Sequence, residues 1–161
     1  WIATWRDLVK RYPDLDPRRI LEDLIALHDR RGKWFAAAKT AGYLDIALDC
    51  AKDSEAAPAT LIRAARDFAR KEPAFAVGVA LCAIGHLIAG RGYDADPHDI
   101  DEAMEHLVAA SGGAGSIDLR LKELNKILED GRKGDPLALR LKEKIALLEA
   151  DAQGARGAPR R

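Results

Sequence analysis

The chain has 161 residues, of which 48% are apolar and 32% are charged. This balance is typical of one globular domain and excludes a disordered chain. The 26 basic residues cancel the 26 acidic ones, so the chain lacks the broad positive field that drives nonspecific binding to nucleic acids.

The first residue is Trp1 rather than Met, which is typical of a fragment or of a processed chain. The two cysteines, Cys50 and Cys82, form no CxxC pair. This spacing argues against a cysteine-built zinc site and against a disulfide scaffold. It indicates a reducing compartment, and we therefore expect a cytoplasmic protein.

Apolar residues recur every three to four positions along almost the whole chain, which predicts successive helices. The first predicted helix covers Ile2 to Arg11, and the second follows Asp16, faces Leu27 inward and stops near Gly32. Gly42 is suited to the left-handed position that ends a helix. The third, fourth and fifth helices are predicted at about 33–41, 43–52 and 59–71.

An Asp-Pro pair precedes three of the predicted helices. The aspartate side chain accepts hydrogen bonds from free amides of the first turn, and proline at the first helical position loses no backbone hydrogen bond. We therefore expect a helix to begin at each proline. The pairs are Asp16-Pro17, Asp96-Pro97 and Asp135-Pro136.

The sixth predicted helix, Ala74 to Ala89, is apolar on nearly every side. Such a helix is either buried on most sides or spans a membrane. It is shorter than the ~20 residues that a bilayer requires and contains His86, so we predict a central core helix. One side carries a row of small residues that would let a neighbouring helix approach closely: Gly78, Cys82, Gly85 and Ala89.

The C-terminal third differs from the rest in composition. A seventh helix ends near Ala110, and the sequence SGGAGS predicts a flexible linker at 111–116. The pentapeptide LRLKE then occurs at 119–123 and again at 139–143. The pattern predicts a helical hairpin over 117–152 that needs a partner, either the preceding domain or another chain. Residues 153–161 are predicted to form a basic disordered tail.

Successive helices with short connections and no strand pattern predict an all-α fold. The helices come in antiparallel pairs of roughly 30 residues, as in α-solenoids. We therefore expect residues 1–110 to form antiparallel helical hairpins stacked as a short α-solenoid-like array, followed by the C-terminal helical hairpin. The strings IALDCA and VALCAI suggest a helical repeat of about 32 residues.

Two groups of residues carry candidate chemistry. Gly32-Lys33 does not form a phosphate loop, because a leucine stands where the motif needs its first glycine and a tryptophan follows the lysine. His98, Glu102 and His106 share one helix face and could bind a divalent metal. That face lies opposite the apolar stripe of the helix, so we expect it to face water and to hold no metal. We also predict no cofactor and no catalytic residue in this chain.

Aromatic residues are concentrated in the first third of the chain. They either pack in the core or form an interaction surface, since aromatic side chains are enriched at interfaces. The candidate interaction surface consists of Trp1, Trp5, Trp34, Phe35 and Tyr43.

Three motifs, KWFAAAK at 33–39, AARDFA at 64–69 and PAFA at 73–76, carry a resemblance to a bacterial family. Over about Val9 to Ala110 the chain resembles the C-terminal helical region of an uncharacterised family of hypothetical proteins, in which this region follows a longer N-terminal part. The resemblance implies a bacterial helical protein, and it brings no catalytic residues.

Helix faces without convergent polar groups favour a non-enzymatic protein-interaction or scaffold module. We expect a protein partner or self-association through helix faces, with no membrane contact. One alternative is a nucleic-acid-associated regulatory protein that uses the basic tail and the sequence GRKG at 131–134, although neutrality disfavours it. Another is a helical part of a larger enzyme whose site lies mostly outside this chain.

Overall fold

A computed structural model describes residues 1–112 and 114–157. Within these ranges the chain is helical and contains no β-strand, so the predicted all-α helical array is confirmed. A single 3-10 turn (Arg31–Trp34) leads into α3. The α-helices are α1 (Ile2–Arg11), α2 (Pro17–Ala26), α3 (Phe35–Ala41), α4 (Leu44–Ala51), α5 (Pro58–Phe68), α6 (Pro73–Ile88), α7 (Pro97–Ser111), α8 (Ala114–Glu129) and α9 (Pro136–Gly157).

The central helix is α6, as predicted. It contacts α4, α5, α7, α8 and α9. Its buried residues cover more than half of its circumference, and Val79, Ala83 and Ile84 are completely inaccessible to solvent. The remaining side is half-buried and consists of Val77, Gly78, Leu81, Cys82 and Gly85. None of the helices among the described residues is long and apolar enough to span a bilayer.

All three aspartates of the Asp-Pro pairs cap a helix. The Asp16 carboxylate accepts a hydrogen bond from the Arg18 amide at 3.0 Å, and the Asp135 carboxylate accepts one from the Ala138 amide at 3.1 Å. Asp96 forms a capping box with Asp99 at the start of α7. The three predicted helix starts are therefore confirmed.

The C-terminus of α2 differs from the prediction. The helix ends at Ala26 rather than near Gly32, and the chain makes a 3-10 turn that carries Trp34 into the core. A Cβ on Gly32 would lie 2.3 Å from the Ala56 amide nitrogen and 2.6 Å from the Glu55 carbonyl carbon. Gly32 thus allows the 53–56 loop to approach closely. The spacing of apolar residues along α2 could not predict this contact, because the loop is distant in sequence.

Two other glycines behave as their positions predict. Gly42 adopts a left-handed conformation with φ of 88° and ends α3, and the Tyr43 amide donates to the Ala38 carbonyl at 3.0 Å. A Cβ on Gly78 would lie 2.7 Å from a methyl group of Leu48 on α4. The row of small residues on α6 therefore permits close helix packing at this position.

The C-terminal hairpin packs on its own chain. Leu124 of α8 and Leu141 of α9 are fully buried, and the pair contacts α6 and α7. Asp101 of α7 binds Arg140 of α9 at 2.8 Å and Lys144 at 3.3 Å. These two contacts fix α9 beside α7.

Helices extend into two segments that were predicted to be irregular. α7 continues to Ser111 and α8 begins at Ala114, so helices enter the predicted linker from both sides. α9 continues into the predicted tail as far as Gly157. Residues 113 and 158–161, which complete those two predicted segments, lie outside the described residues.

The close packing at Gly32 gives a stability prediction. Gly32→Ala should lower the free energy of unfolding by about 1–3 kcal/mol, because backbone atoms of the 53–56 loop must move. The control is Gly85→Ala inside α6, where an added Cβ meets nothing within 4 Å. Because alanine favours the helix over glycine, this substitution should raise the free energy of unfolding by about 0.5–1 kcal/mol. Chemical denaturation measures both values, and an unchanged Gly32→Ala protein would contradict this account of the turn.

Candidate interaction surface

Aromatic rings join α1 to the 3-10 turn. The ring of Trp1 meets the ring of Trp34 edge to face, with centroids 5.1 Å apart, and meets His28 in the same way at 5.4 Å. Trp34 is only 1% exposed, whereas Trp1 is 52% exposed. Trp1 therefore covers Trp34 and presents its own outer side to solvent.

A second set of contacts fixes α1 and α2 against α4. The Trp5 indole N–H donates to the Pro17 carbonyl at 2.9 Å, and its ring meets the Tyr43 ring edge to face at 6.3 Å. The Arg18 guanidinium lies 5.7 Å from the centre of the Tyr43 ring and donates to both carboxylate oxygens of Asp45. This ion pair holds the pKa of the Asp45 carboxyl below its usual value, mainly through the side-chain hydrogen bond.

The structure separates the residues of the predicted aromatic surface. Trp34 and Phe35 are buried and do not contribute to a surface of this fold. Phe35 stacks on Phe75 of α6, with ring centroids 6.4 Å apart. Trp5 and Tyr43 are half-buried against the core. Of the five predicted residues, Trp1 alone is mainly exposed, because the 3-10 turn directs the adjacent Trp34 and Phe35 inward.

A different set of side chains forms an exposed apolar surface on α1, α2 and the residues that flank them, which we call the α1–α2 surface. Tyr12 and Leu15 lie in the loop between the two helices, and Leu27 directly follows α2. Leu27 is 80% exposed, Leu15 55% and Tyr12 49%. They surround a shallow groove of about 200 Å³. The inward orientation predicted for Leu27 is wrong, because α2 ends one residue earlier. The surface comprises Leu8, Tyr12, Leu15, Ile20, Leu24 and Leu27.

A larger groove, of about 710 Å³, lies where residues 54–59, which lead into α5, face the 91–95 loop. Its charged groups have both signs. Glu55 binds Arg30 at 2.7 Å and lies 3.7 Å from Lys33, and Arg91 binds His86. Lys33 and Glu55 thus pair with each other, whereas Arg91 bonds the neutral His86 ring and Asp99 accepts from the Asp96 amide.

His86 is a buried, hydrogen-bonded residue, as expected from its apolar neighbours. Its Nε2 lies 2.8 Å from the Ala51 carbonyl oxygen, and its Nδ1 lies 3.2 Å from Nη1 of Arg91. The carbonyl can only accept and the guanidinium can only donate, so the neutral ring donates from Nε2 and accepts at Nδ1. Burial, rather than any charge, is the main reason that the pKa of His86 lies below 6.5.

The cysteines lack the environment of a reactive thiolate. Both are free thiols, and Cys50 is fully buried. Desolvation raises the pKa of Cys50 to about 11 and also raises that of Cys82. A nucleophilic cysteine needs the opposite shift, so these thiols act as small packing groups.

On α7, His98 lies on the exposed side and His106 is half-buried. The Nε2 of His98 is 3.8 Å from a carboxylate oxygen of Glu102, and both side chains are largely in water. His106 follows two turns after His98 on the same helix. Among residues 1–112 and 114–157, no three His, Cys, Asp or Glu side chains are grouped in a way that could hold a metal ion.

Comparison with known proteins gives no relative: no family model, no curated protein and no solved structure matches the chain.

The hydrogen bonds of His86 give a pH prediction. The His86 ring binds its second proton less readily in the folded protein than in the unfolded chain. The free energy of unfolding therefore keeps its full value above about pH 6.5 and falls as the pH drops below that value. His86→Gln keeps one donor for the Ala51 carbonyl and one acceptor for Arg91 and does not titrate. Its free energy of unfolding should therefore fall less between about pH 7 and pH 5, by up to about 1.4 kcal/mol per pH unit.

Denaturant titrations of both proteins across this pH range measure the difference. Equal pH dependence in the wild type and in His86→Gln would show that His86 is not held neutral by its surroundings.

Proposed function

We propose that this chain is a non-enzymatic protein-interaction or scaffold module that binds a protein partner through the α1–α2 surface. One observation supports this most strongly: Leu15, Leu27 and Tyr12 are exposed large apolar side chains gathered on one surface. Contiguous apolar patches on a folded domain are typical of protein-protein contacts, whereas single exposed apolar residues are not.

The place of this surface in the fold supports the same function. α1 and α2 form the first hairpin of the array, and their inner sides pack on α3 and on the 3-10 turn. The outer side of a terminal hairpin is polar when it faces water. An apolar outer side instead favours contact with another protein.

The thiols and the charged side chains of the 710 Å³ groove favour binding over catalysis. Cys50 and Cys82 have raised pKa values, and the Arg91 guanidinium is bonded to His86. A catalytic site brings together a nucleophile, a base and a group that stabilises developing charge. No such group forms among the described residues around the 710 Å³ groove, which disfavours an enzyme whose site lies within this chain.

The proposed setting is the bacterial cytoplasm. The resemblance of the KWFAAAK, AARDFA and PAFA motifs to a bacterial family supports the source. The two cysteines are free thiols, which favours a reducing compartment.

The test replaces two apolar residues of the proposed binding surface. Leu15→Glu combined with Leu27→Glu should weaken partner binding about tenfold or more, because two apolar contacts are lost and two charges are desolvated. The matched control is Leu119→Glu combined with Leu139→Glu, since Leu119 and Leu139 are also exposed, at 50% and 53%, and lie outside the α1–α2 surface.

Immobilised wild type, variant and control are incubated with bacterial lysate, and quantitative mass spectrometry measures the proteins that each retains. Denaturation should give free energies of unfolding within about 0.5 kcal/mol of the wild type for both double variants. A set of retained proteins that is the same for all three would remove the basis of the proposed function.

A further inference from the structure

A second apolar groove lies between α7 and α9, and we call it the α7–α9 groove. Four residues from each helix line it, at positions i, i+3, i+4 and i+7, and its volume is about 420 Å³. The groove is lined by Asp101, Met104, Glu105 and Val108 from α7, and by Lys144, Leu147, Leu148 and Asp151 from α9.

The floor of this groove is apolar and partly open. Met104 is 4% exposed and forms the buried part of the floor. Val108 is 40% exposed and Leu147 is 60% exposed, although both lie beside residues of the core. Another helix could cover them without any rearrangement of α7 or α9.

One end of the groove is closed by ion pairs. Asp101 binds Arg140 at 2.8 Å and Lys144 at 3.3 Å, and these contacts hold the pKa of Asp101 at about 2, mainly through the hydrogen bond from Arg140. α7 and α9 therefore run side by side from this point. The four lining positions on each helix span two turns, or about 10 Å, which suits two turns of a docked helix.

The rim of the groove is acidic. Glu105 and Asp151 are exposed, and the ion pairs of the described residues include neither of them. Lys144 is the one cation among the lining residues, and it is occupied by Asp101. The carboxylates of Glu105 and Asp151 lie beside the apolar floor and give this groove a negative rim.

We propose that the α7–α9 groove binds an amphipathic helix of a protein partner, with apolar residues on one side and Lys or Arg on the flanks. Apolar residues at i, i+3 or i+4 and i+7 would cover Val108 and Leu147, and the flanking cations would reach Glu105 and Asp151. Complementary charge gives such a contact its specificity and its association rate.

The charges distinguish this groove from the α1–α2 surface. There the charged residue among the lining residues, Asp23, is already paired with Arg19 at 3.1 Å. The α1–α2 surface thus carries no excess charge that would define its partner. The proposal for the α7–α9 groove uses different residues and stands independently of the proposed function of α1–α2.

The probe is a fluorescein-labelled synthetic peptide of leucine and lysine, with its leucines on one side of a helix. Two further peptides serve as comparisons: one has the same composition in scrambled order, and one has glutamate in place of lysine. Fluorescence anisotropy with the full chain measures the affinity of each. We expect the leucine-lysine helix to bind at least about tenfold more tightly than either comparison peptide.

Variants of the chain locate the binding. Glu105→Lys combined with Asp151→Lys should weaken binding of the leucine-lysine peptide about tenfold. The matched control is Glu102→Lys combined with Glu149→Lys. It changes the net charge by the same amount, at positions of α7 and α9 that lie outside the groove, and should change the affinity less than about twofold. Leu147→Glu should weaken binding by a similar factor to the groove charge variant.

Four results would overturn the proposal. The leucine-lysine peptide fails to bind, or the scrambled peptide binds equally well. The groove and control charge variants have an equal effect, which would indicate general electrostatic attraction. The chain forms a dimer in sedimentation velocity that Leu147→Glu dissociates, because a second copy of the chain would then occupy the groove.

Discussion

α6 is apolar on nearly every side, and the need to remove most of its surface from water determines how the other helices are arranged. Burial of apolar surface contributes roughly 25 cal/mol per Å², so each uncovered side of this helix would cost several kcal/mol. Five helices, α4, α5, α7, α8 and α9, pack on it, and Phe35 of α3 stacks on its Phe75. His86 is tolerated inside this environment because both ring nitrogens are hydrogen-bonded.

The sides of helices that do not face α6 leave some apolar side chains in water. α1 and α2 are held by aromatic contacts and by the Trp5 indole hydrogen bond, and their outer side keeps Leu15 and Leu27 exposed. α7 and α9 cover α6 with their inner sides and form a groove with their outer sides. The two proposed binding surfaces are thus the parts of the array that the burial of α6 does not use.

Local signals in the sequence predicted the features that depend on a few neighbouring residues. The helix start at Asp96-Pro97, the left-handed Gly42 and the all-round apolarity of α6 were all readable in this way. Features that depend on contacts distant in sequence were not. The inward orientation of Trp34 and the exposure of Leu27 depend on where α2 ends, and the α7–α9 groove depends on how the C-terminal hairpin packs.

The measurement that tests the central role of α6 most directly is native-state hydrogen–deuterium exchange followed by mass spectrometry. The account predicts that amides of α6 exchange only through global unfolding, with a free energy within about 1 kcal/mol of the value from denaturation. Amides of α1 and α2 should open at a lower free energy. Exchange of α6 as fast as that of α1 would contradict the claim that its burial organises the fold.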